Sequence, residues 1–170
     1  NTFLLELFHG PTLAFKDVAM QFLARLMDFA LEQRGERTTI VVATSGDTGG
    51  AAVDAFRGRA RIDLIVLYPK GRVSDVQRRM MTTAPDANVR AVAVEGTFDD
   101  CQALVKAMFN HHAFRDEVRL SGVNSINFAR IVAQAVEPGP YLMGEQFTAA
   151  DVVVGSALRW GMMFGLLPTR

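Results

Sequence analysis

The sequence predicts an α/β fold in which helices cover both faces of a parallel sheet. Three short apolar runs are continuous rather than alternating, and single stretches with helical spacing separate them. A strand that is buried on both faces has such a continuous pattern, and two parallel strands need a crossover connection, usually a helix, between them. The three runs are Thr38–Ala43, residues 62–67 and Val89–Val94.

The first half of the chain alternates between extended apolar runs and stretches with helical spacing. Residues 3–8 form a short extended run, and a helix is expected from Phe15 to near Gly35. The apolar residues that recur there at helical spacing are Val18, Phe22, Leu26, Phe29 and Ala30. The first apolar run then follows as a strand, and a glycine-rich turn leads from it into a short helix through Phe56.

The alternation continues after the second apolar run. Ser74 can cap a helix that runs through Met81. Thr97 and Asp100 have the spacing of a capping box, which predicts a helix start after the third run. His111 and His112 are expected at the end of that helix, where imidazoles complement the dipole, and a weaker strand is expected over residues 118–123.

The composition limits the partners and the kinds of site that we expect. With 170 residues the chain fits one domain, or one domain with a fragment of another. Lys plus Arg and Asp plus Glu both total 18, so neither nucleic acid nor a membrane surface is expected as a partner. The single cysteine, Cys101, lies on an apolar helical stripe, fits a reducing compartment and predicts a buried thiol in a cytoplasmic protein. No ligand cluster supports a metal site.

The turn after Ala43 carries the clearest local chemistry. Its glycines allow left-handed backbone and close ligand approach, and the amides of residues 48–51 open a helix that favours an anion. A carboxylate or a phosphate fits there. The turn is neither a Walker loop nor a dinucleotide fingerprint. An ordinary glycine-rich turn between a strand and a helix is the alternative.

Lys16 is the other candidate, because it lies at a helix start where the dipole disfavours the charged form of an amine. A neutral amine there suits Schiff-base chemistry with an aldehyde cofactor. The alternative is a solvated lysine beside Asp17. Both candidates belong to loops at the carboxyl ends of the predicted strands, where parallel sheets bind their ligands.

Four segments together resemble threonine synthase. Residues 6–17 read ELFHGPTLAFKD, residues 43–49 read ATSGDTG, residues 67–71 read LYPKG, and residues 124–127 read NSIN. The resemblance runs from about residue 2 to residue 134. It implies a pyridoxal 5'-phosphate enzyme of fold type II that converts O-phosphohomoserine and water into threonine and phosphate, a step of threonine biosynthesis.

The resemblance also implies roles for single residues. Lys16 would form the Schiff base with pyridoxal phosphate and move protons between substrate carbons, and Asp47 would lie near the 3-hydroxyl of the cofactor. The turn residues that would embrace the substrate carboxylate are Thr44, Ser45, Gly46, Asp47 and Thr48. The residues that would hold the departing phosphate or line the same crevice are Lys70, Arg72, Ser74, Asn124, Ser125 and Asn127. For these six, a solvated basic turn and an ordinary helix cap are the alternative.

Two departures from the family predict an incomplete chain. Neither the family's N-terminal region nor its later glycine-rich phosphate loop is found in the sequence. From Glu137 the chain instead resembles the helical C-terminal domain of glutathione transferases. We therefore expect a threonine synthase-like core over residues 1–135 and a transferase-like helical fragment over residues 136–170. The apolar face of that fragment predicts a homo-oligomer. The alternatives are a catalytically inactive chimeric fragment and a glutathione transferase-related protein.

Overall fold

The computed structural model describes residues 6–123, which form a four-stranded parallel sheet and five helices. The elements in chain order are α1 (Lys16–Arg34), β1 (Thr38–Ala43), α2 (Asp47–Phe56), β2 (Ile62–Pro69), α3 (Asp75–Thr82), β3 (Val89–Val94), α4 (Phe98–Asn110), α5 (His112–Glu117) and β4 (Leu120–Ser121). The predicted α/β alternation is confirmed. Of the extended run predicted over residues 3–8, residues 6–8 belong to no strand, and residues 3–5 lie outside the described residues.

The strand order in the sheet is β3-β2-β1-β4. β1 pairs with β2 along its whole length, from Thr38 opposite Ile62, whereas β4 adds only two residues on the other side of β1. The chain therefore adds β2 and then β3 on one side of β1, and it returns to add β4 on the other side of β1. In doubly wound sheets the ligand crevice lies outside the carboxyl ends of the strands at such a reversal. The turn that follows β1 leaves the sheet at this point.

Apolar side chains cover both faces of the sheet, as the continuous strand pattern predicts. On one face α1, α2 and α3 contribute Met20, Phe56 and Met81 to a core that includes Leu64 of β2. On the other face Cys101 of α4 packs with Val41 and Leu67. The Cys101 side chain has no exposed surface, so the prediction of a buried thiol is confirmed.

The helix α1 is apolar on two sides. Met20, Leu23 and Ala24 are buried in the core. The residues whose spacing predicts the helix lie mainly on the exposed side, and four of them are 39% to 61% exposed: Val18, Phe22, Leu26 and Phe29. The helix prediction is right. Most of the apolar residues from which it was made are exposed, however, and a different set of residues packs against the sheet.

Capping boxes begin two of the helices. The Ser74 side chain accepts a hydrogen bond from the amide of Gln77, whose own side chain accepts one from the Ser74 amide. Thr97 and Asp100 form the same arrangement at α4, as predicted.

The expectation for His111 and His112 is wrong in part. His111 does end α4, but its Nδ1 accepts a hydrogen bond from the Phe114 amide at 3.2 Å, and His112 begins α5. The weak strand predicted over residues 118–123 is reduced to Leu120–Ser121. The predicted helical fragment over residues 136–170 lies outside the described residues. Within residues 6–123 no helix is both long and apolar enough to cross a membrane.

Candidate active site

The turn between β1 and α2 is built around the hydroxyl of Thr44. This side chain is 1% exposed, and its Oγ1 accepts hydrogen bonds from the amides of Gly46 and Gly49, each at 2.9 Å. A Cβ atom on Gly49 would lie 2.5 Å from the Thr44 methyl group, so the turn closes only with glycine there. Thr44 therefore organises the turn from inside, and a direct contact with a substrate stays a prediction.

The amides that remain open differ from those that the sequence predicts. Gly49 donates to Thr44, and Gly50 donates to the Gly46 carbonyl at 3.1 Å. Among residues 6–123 no acceptor meets the amides of Ser45, Asp47 and Thr48. These three amides lie at the start of α2, where the helix dipole also favours an anion. Two amides of the predicted donor set of residues 48–51, those of Gly49 and Gly50, are thus used inside the turn, whereas those of residues 45, 47 and 48 are open among the described residues.

A side-chain contact joins this turn to α3. Asp47 Oδ1 accepts a hydrogen bond from Gln77 Nε2 at 2.8 Å. Gly46, at φ 145°, lies so close to Gln77 that an added Cβ atom would overlap its amide group. The structure therefore places the turn at residues 44–48 against Gln77, which is itself hydrogen-bonded to Ser74, the last residue of the second predicted segment, residues 70–74.

The second segment is exposed and largely paired. Lys70 forms an ion pair with Glu95, and both side chains are exposed. Ser74 is engaged in the capping box of α3. Hydrogen bonds from Thr97 lower the pKa of the Asp100 carboxyl, and the charge of the exposed Arg72 nearby adds a smaller contribution in the same direction. Because Lys70 is paired with Glu95, Arg72 is the better of the two cations in this segment for binding an anion.

Lys16 is the first residue of α1 and is half-buried, with Nζ 4.5 Å from the centre of the Phe15 ring. The loop before it is held by Asp17, which is 2% exposed. Its carboxylate accepts hydrogen bonds from the amide of Thr12 at 2.9 Å and from its hydroxyl at 2.6 Å. Gly10 packs directly against the same carboxylate, where a Cβ atom would overlap it. Asp17 thus fixes the backbone that carries Lys16 into the helix.

Two contacts show that α1 and α2 run in the same direction. Gln21 Nε2 donates to Asp54 Oδ2 at 2.7 Å, and Asp28, further along α1, pairs with Arg59, just beyond α2, at 2.7 Å. Lys16 precedes Gln21 by five residues, about 7.5 Å along a helix, and the first turn of α2 precedes Asp54 by the same distance. Lys16 therefore lies at the same end of this helical layer as the glycine turn.

Three predicted site residues, Asn124, Ser125 and Asn127, lie outside the described residues. A polar cleft of about 430 Å³ occurs at the other end of α2 and is lined by residues 57–61 together with Asp28 and Glu32. The ion pair of Arg59 and Asp28 occupies it, and it contains none of the predicted site residues. Within residues 6–123 no cluster of three or more metal-ligating side chains occurs.

Sequence reasoning missed two residues that shape the site. Gln77 is the N3 residue of a capping box, so the spacing of Ser74 and Gln77 could have identified it as ordered. Nothing in the sequence indicates its contact with Asp47, which lies 30 residues earlier. Asp17 is read as a neighbour of the lysine, and only its burial and its bonds to Thr12 reveal its structural role.

The groups at this end of the layer fit an aldehyde cofactor together with a substrate that carries an anionic group. Lys16 supplies a primary amine, and the three open amides at residues 45, 47 and 48 supply hydrogen bonds to an anion. Asp47 adds a carboxylate at the same helix start.

The chain is similar to threonine synthases over most of its length. It is 55% identical over 136 residues to threonine synthase of Pseudomonas aeruginosa, covering 80% of this chain and 29% of that protein. The Saccharomyces cerevisiae enzyme is 49% identical over 142 residues, covering 79% of this chain and 28% of that protein. The chain thus spans less than a third of the length of these relatives.

Solved structures give the same result for the fold. The crystal structure of pyridoxal phosphate-bound threonine synthase from Brucella melitensis matches with a TM-score of 0.71 and 49% identity, over 92% of this chain and 36% of that one. The structure from Escherichia coli matches with a TM-score of 0.69 and 33% identity, over 91% of this chain and 39% of that one. The expected parallel architecture of threonine synthase, a fold type II enzyme, is confirmed.

Residues 2–167 match the family described as pyridoxal-phosphate dependent enzyme. This match extends through most of the segment that resembles glutathione transferases, and none of the relatives reported above supports a transferase origin for it. Since the match covers nearly the whole sequence, the chain belongs to the family of pyridoxal-phosphate dependent enzymes.

Proposed function

We propose that this chain is the part of a threonine synthase that carries the reactive lysine, in an enzyme that converts O-phosphohomoserine and water into threonine and phosphate. One observation carries the proposal: Lys16 begins α1 at the same end of the helical layer as a glycine turn with three open amides. The threonine synthase relatives, at 55% and 49% identity, support the substrate class.

Pyridoxal phosphate, when bound, supplies a reactive aldehyde and a ring that withdraws electrons from the substrate carbons. The chain supplies the groups around it. Lys16 Nζ would hold the cofactor covalently, and once the substrate amine has taken its place the freed amine would accept and donate the proton that moves between substrate carbons. The amides of Ser45, Asp47 and Thr48 bind the substrate carboxylate, and the carboxylate of Asp47 is the group assigned to the 3-hydroxyl of the cofactor. Thr44 and Gly46 shape the turn that presents these groups.

Arg72, Lys70 and Ser74 are proposed to bind the phosphate that leaves the substrate. Arg72 is the strongest of the three candidates, because Lys70 is paired with Glu95 and Ser74 caps α3. Asn124, Ser125 and Asn127 stay candidates for the same crevice on the resemblance alone.

Covalent labelling tests the role of Lys16. The purified chain is mixed with pyridoxal phosphate, reduced with borohydride and digested, and the modified peptide is identified by mass. We expect the label on the peptide that contains Lys16 and its loss in Lys16→Ala. The matched control is Lys106→Ala, which removes an exposed lysine on α4 and should leave the label in place. A label distributed equally over the three lysines of the chain would contradict the proposal.

Release of phosphate from O-phosphohomoserine separates an active enzyme from the catalytically inactive alternative. A chain that takes the label on Lys16 and releases no phosphate would bind the cofactor without completing the reaction. The labelling experiment therefore tests the site, and the phosphate assay tests the turnover.

The division of the chain near residue 135 is a separate hypothesis. It rests on the resemblance of residues 137–151 to glutathione transferases, whereas the family match across residues 2–167 favours a single family throughout. Sequencing the gene across this position would decide between them. Cytoplasmic location and a homo-oligomer through the last segment also stay expectations, and sedimentation of the purified chain as a strict monomer would remove the second.

A further inference from the structure

We infer that Gln77 is a positioning residue, which holds the anion-binding turn in its open-amide conformation through Asp47. The inference rests on the proposed function only where it assigns that turn to substrate binding. The contact itself is a hydrogen bond from Gln77 Nε2 to Asp47 Oδ1 at 2.8 Å.

Hydrogen bonds to Ser74 fix which atom of the Gln77 side-chain amide, Oε1 or Nε2, faces Asp47. Its Oε1 accepts hydrogen bonds from the Ser74 amide at 3.1 Å and from the Ser74 hydroxyl at 2.9 Å. The Nε2 atom must therefore point the other way, toward Asp47. The capping box thus sets the direction of the donor, and α3 becomes the support for the first residue of α2.

The fit of the turn against Gln77 is close. Gly46 lies against the Gln77 amide group with no space for a Cβ atom, and its φ of 145° is one that side chains rarely adopt. The carbonyl of Gly46 accepts from the Gly50 amide, and its own amide donates to Thr44. A shift of Gln77 would therefore loosen the turn at Gly46, which takes part in both of these hydrogen bonds.

The variant Gln77→Glu separates the two roles of this side chain. Glutamate keeps the acceptors for Ser74, and it is a preferred N3 residue of capping boxes, so the start of α3 is preserved. It cannot donate to Asp47 at neutral pH, and it places a second carboxylate against the first. A purely structural role in the cap predicts no change in the turn, whereas a positioning role predicts that the turn loosens.

Hydrogen exchange of the cofactor-free chain gives the readout. We expect the protected amides of Gly46, Gly49 and Gly50 to exchange roughly five- to tenfold faster in Gln77→Glu, which corresponds to the net loss of one ordinary hydrogen bond. The amide of Arg78, which donates to the Ser74 carbonyl, reports on α3 and should be unchanged. Asp47→Ala breaks the same bond from the other side and should reproduce the effect.

The double variant Asp47→Asn with Gln77→Glu supplies a rescue. Asparagine can donate to the new glutamate, so the bond re-forms in the opposite direction and the net charge of the pair returns to its original value. We expect exchange within about twofold of the parent chain. Asp47→Asn alone keeps an acceptor for Gln77 and should also resemble the parent.

The matched control is Gln21→Glu. Gln21 donates to Asp54 at 2.7 Å, so the chemistry of the pair is the same, but Asp54 lies near the far end of α2. This variant should leave exchange at Gly46, Gly49 and Gly50 unchanged. The inference is overturned if Gln77→Glu leaves these amides unchanged, if the double variant does not restore them, or if Gln21→Glu accelerates them equally.

Labelling with pyridoxal phosphate then connects the turn to the site. The yield on Lys16 should fall in Gln77→Glu and stay at the parent level in Gln21→Glu, in which Asp47 keeps both its carboxylate and its bond to Gln77. If the parent chain takes no label, the proposed function fails while the exchange result still decides the role of Gln77. If labelling succeeds and exchange does not respond, the proposed function stands and the positioning role falls.

Discussion

Two adjacent glycines of α2 should respond in opposite ways to substitution by alanine. A Cβ atom on Gly49 would lie 2.5 Å from both the Thr44 methyl group and the Met81 sulfur, and 3.0 Å from a methyl group of Val66. A Cβ atom on Gly50 would meet nothing closer than Met80 at 3.5 Å. Both positions gain the same helix propensity and lose the same unfolded-state freedom, so these contributions cancel when the two variants are compared.

The difference in the free energy of unfolding between Gly49→Ala and Gly50→Ala therefore measures the contact alone. Thr44 and Val66 are stiff β-branched side chains, and Thr44 is held by its two hydrogen bonds, so the methyl group cannot be accommodated by a simple rotation. Overpacking of this kind costs about 1–3 kcal/mol. Gly50→Ala should be as stable as the parent chain or more stable by up to about 1 kcal/mol.

Urea unfolding of the two variants, followed by circular dichroism, measures this difference. A gap of about 2 kcal/mol also corresponds to a difference in melting temperature of roughly 4–8 °C for a chain of this size. Equal stability of Gly49→Ala and Gly50→Ala would contradict this expectation, because the close approach of Gly49 to Thr44 would then carry no energetic cost.

Three other changes test the same structure. Thr44→Val removes the acceptor for two buried amides and should lower the free energy of unfolding by roughly 2–4 kcal/mol, more than Thr44→Ser, which keeps the hydroxyl; equal losses in urea titrations would contradict this. Burial, with a smaller contribution from the charge of Asp100, raises the pKa of the Cys101 thiol, so its reaction with a disulfide reagent at pH 8 should be at least about tenfold slower than in urea, and equal rates would place it at the surface. Hydrogen bonds from the Thr97 amide and hydroxyl lower the pKa of Asp100. Because a carboxyl with a lowered folded-state pKa stabilises the fold only above its ordinary pKa, this stabilisation should be lost as the pH falls below about 4. The melting temperature of Asp100→Asn should therefore depend less on pH in that range than that of the parent chain.

Two of the four strands could be predicted closely because the sequence marks both of their ends. Thr38–Ala43 is apolar or β-branched throughout and Val89–Val94 is so except for Arg90; both runs stop at polar residues, and the structure has the same bounds. The helix starts at Ser74 and Thr97 were also predictable, since a capping box is a contact within four residues. Local signals of this kind need no knowledge of what lies across the sheet.

Contacts between distant elements were not predictable in this way. In α1 the stripe through Phe22 and Phe29 and the stripe through Met20 and Leu23 have similar spacing, and spacing alone does not tell which one meets the sheet. The buried stripe also contains Ala19 and Ala24, whereas Phe22 and Phe29 are on the exposed side. The bond between Gln77 and Asp47 is a second case, because it depends on how α2 and α3 are placed side by side.

The glycine turn illustrates why a motif alone does not define the groups that bind a ligand. Its sequence offers an amide at every residue from 45 to 50, and the structure uses those of Gly46, Gly49 and Gly50 to close the turn itself. The three amides that remain, at residues 45, 47 and 48, can satisfy the two oxygens of one carboxylate but are too few to surround a diphosphate. The turn is therefore better suited to the carboxylate of a small amino-acid substrate than to a nucleotide, which agrees with the proposed function and follows from the internal bonds of the turn rather than from its resemblance to any family.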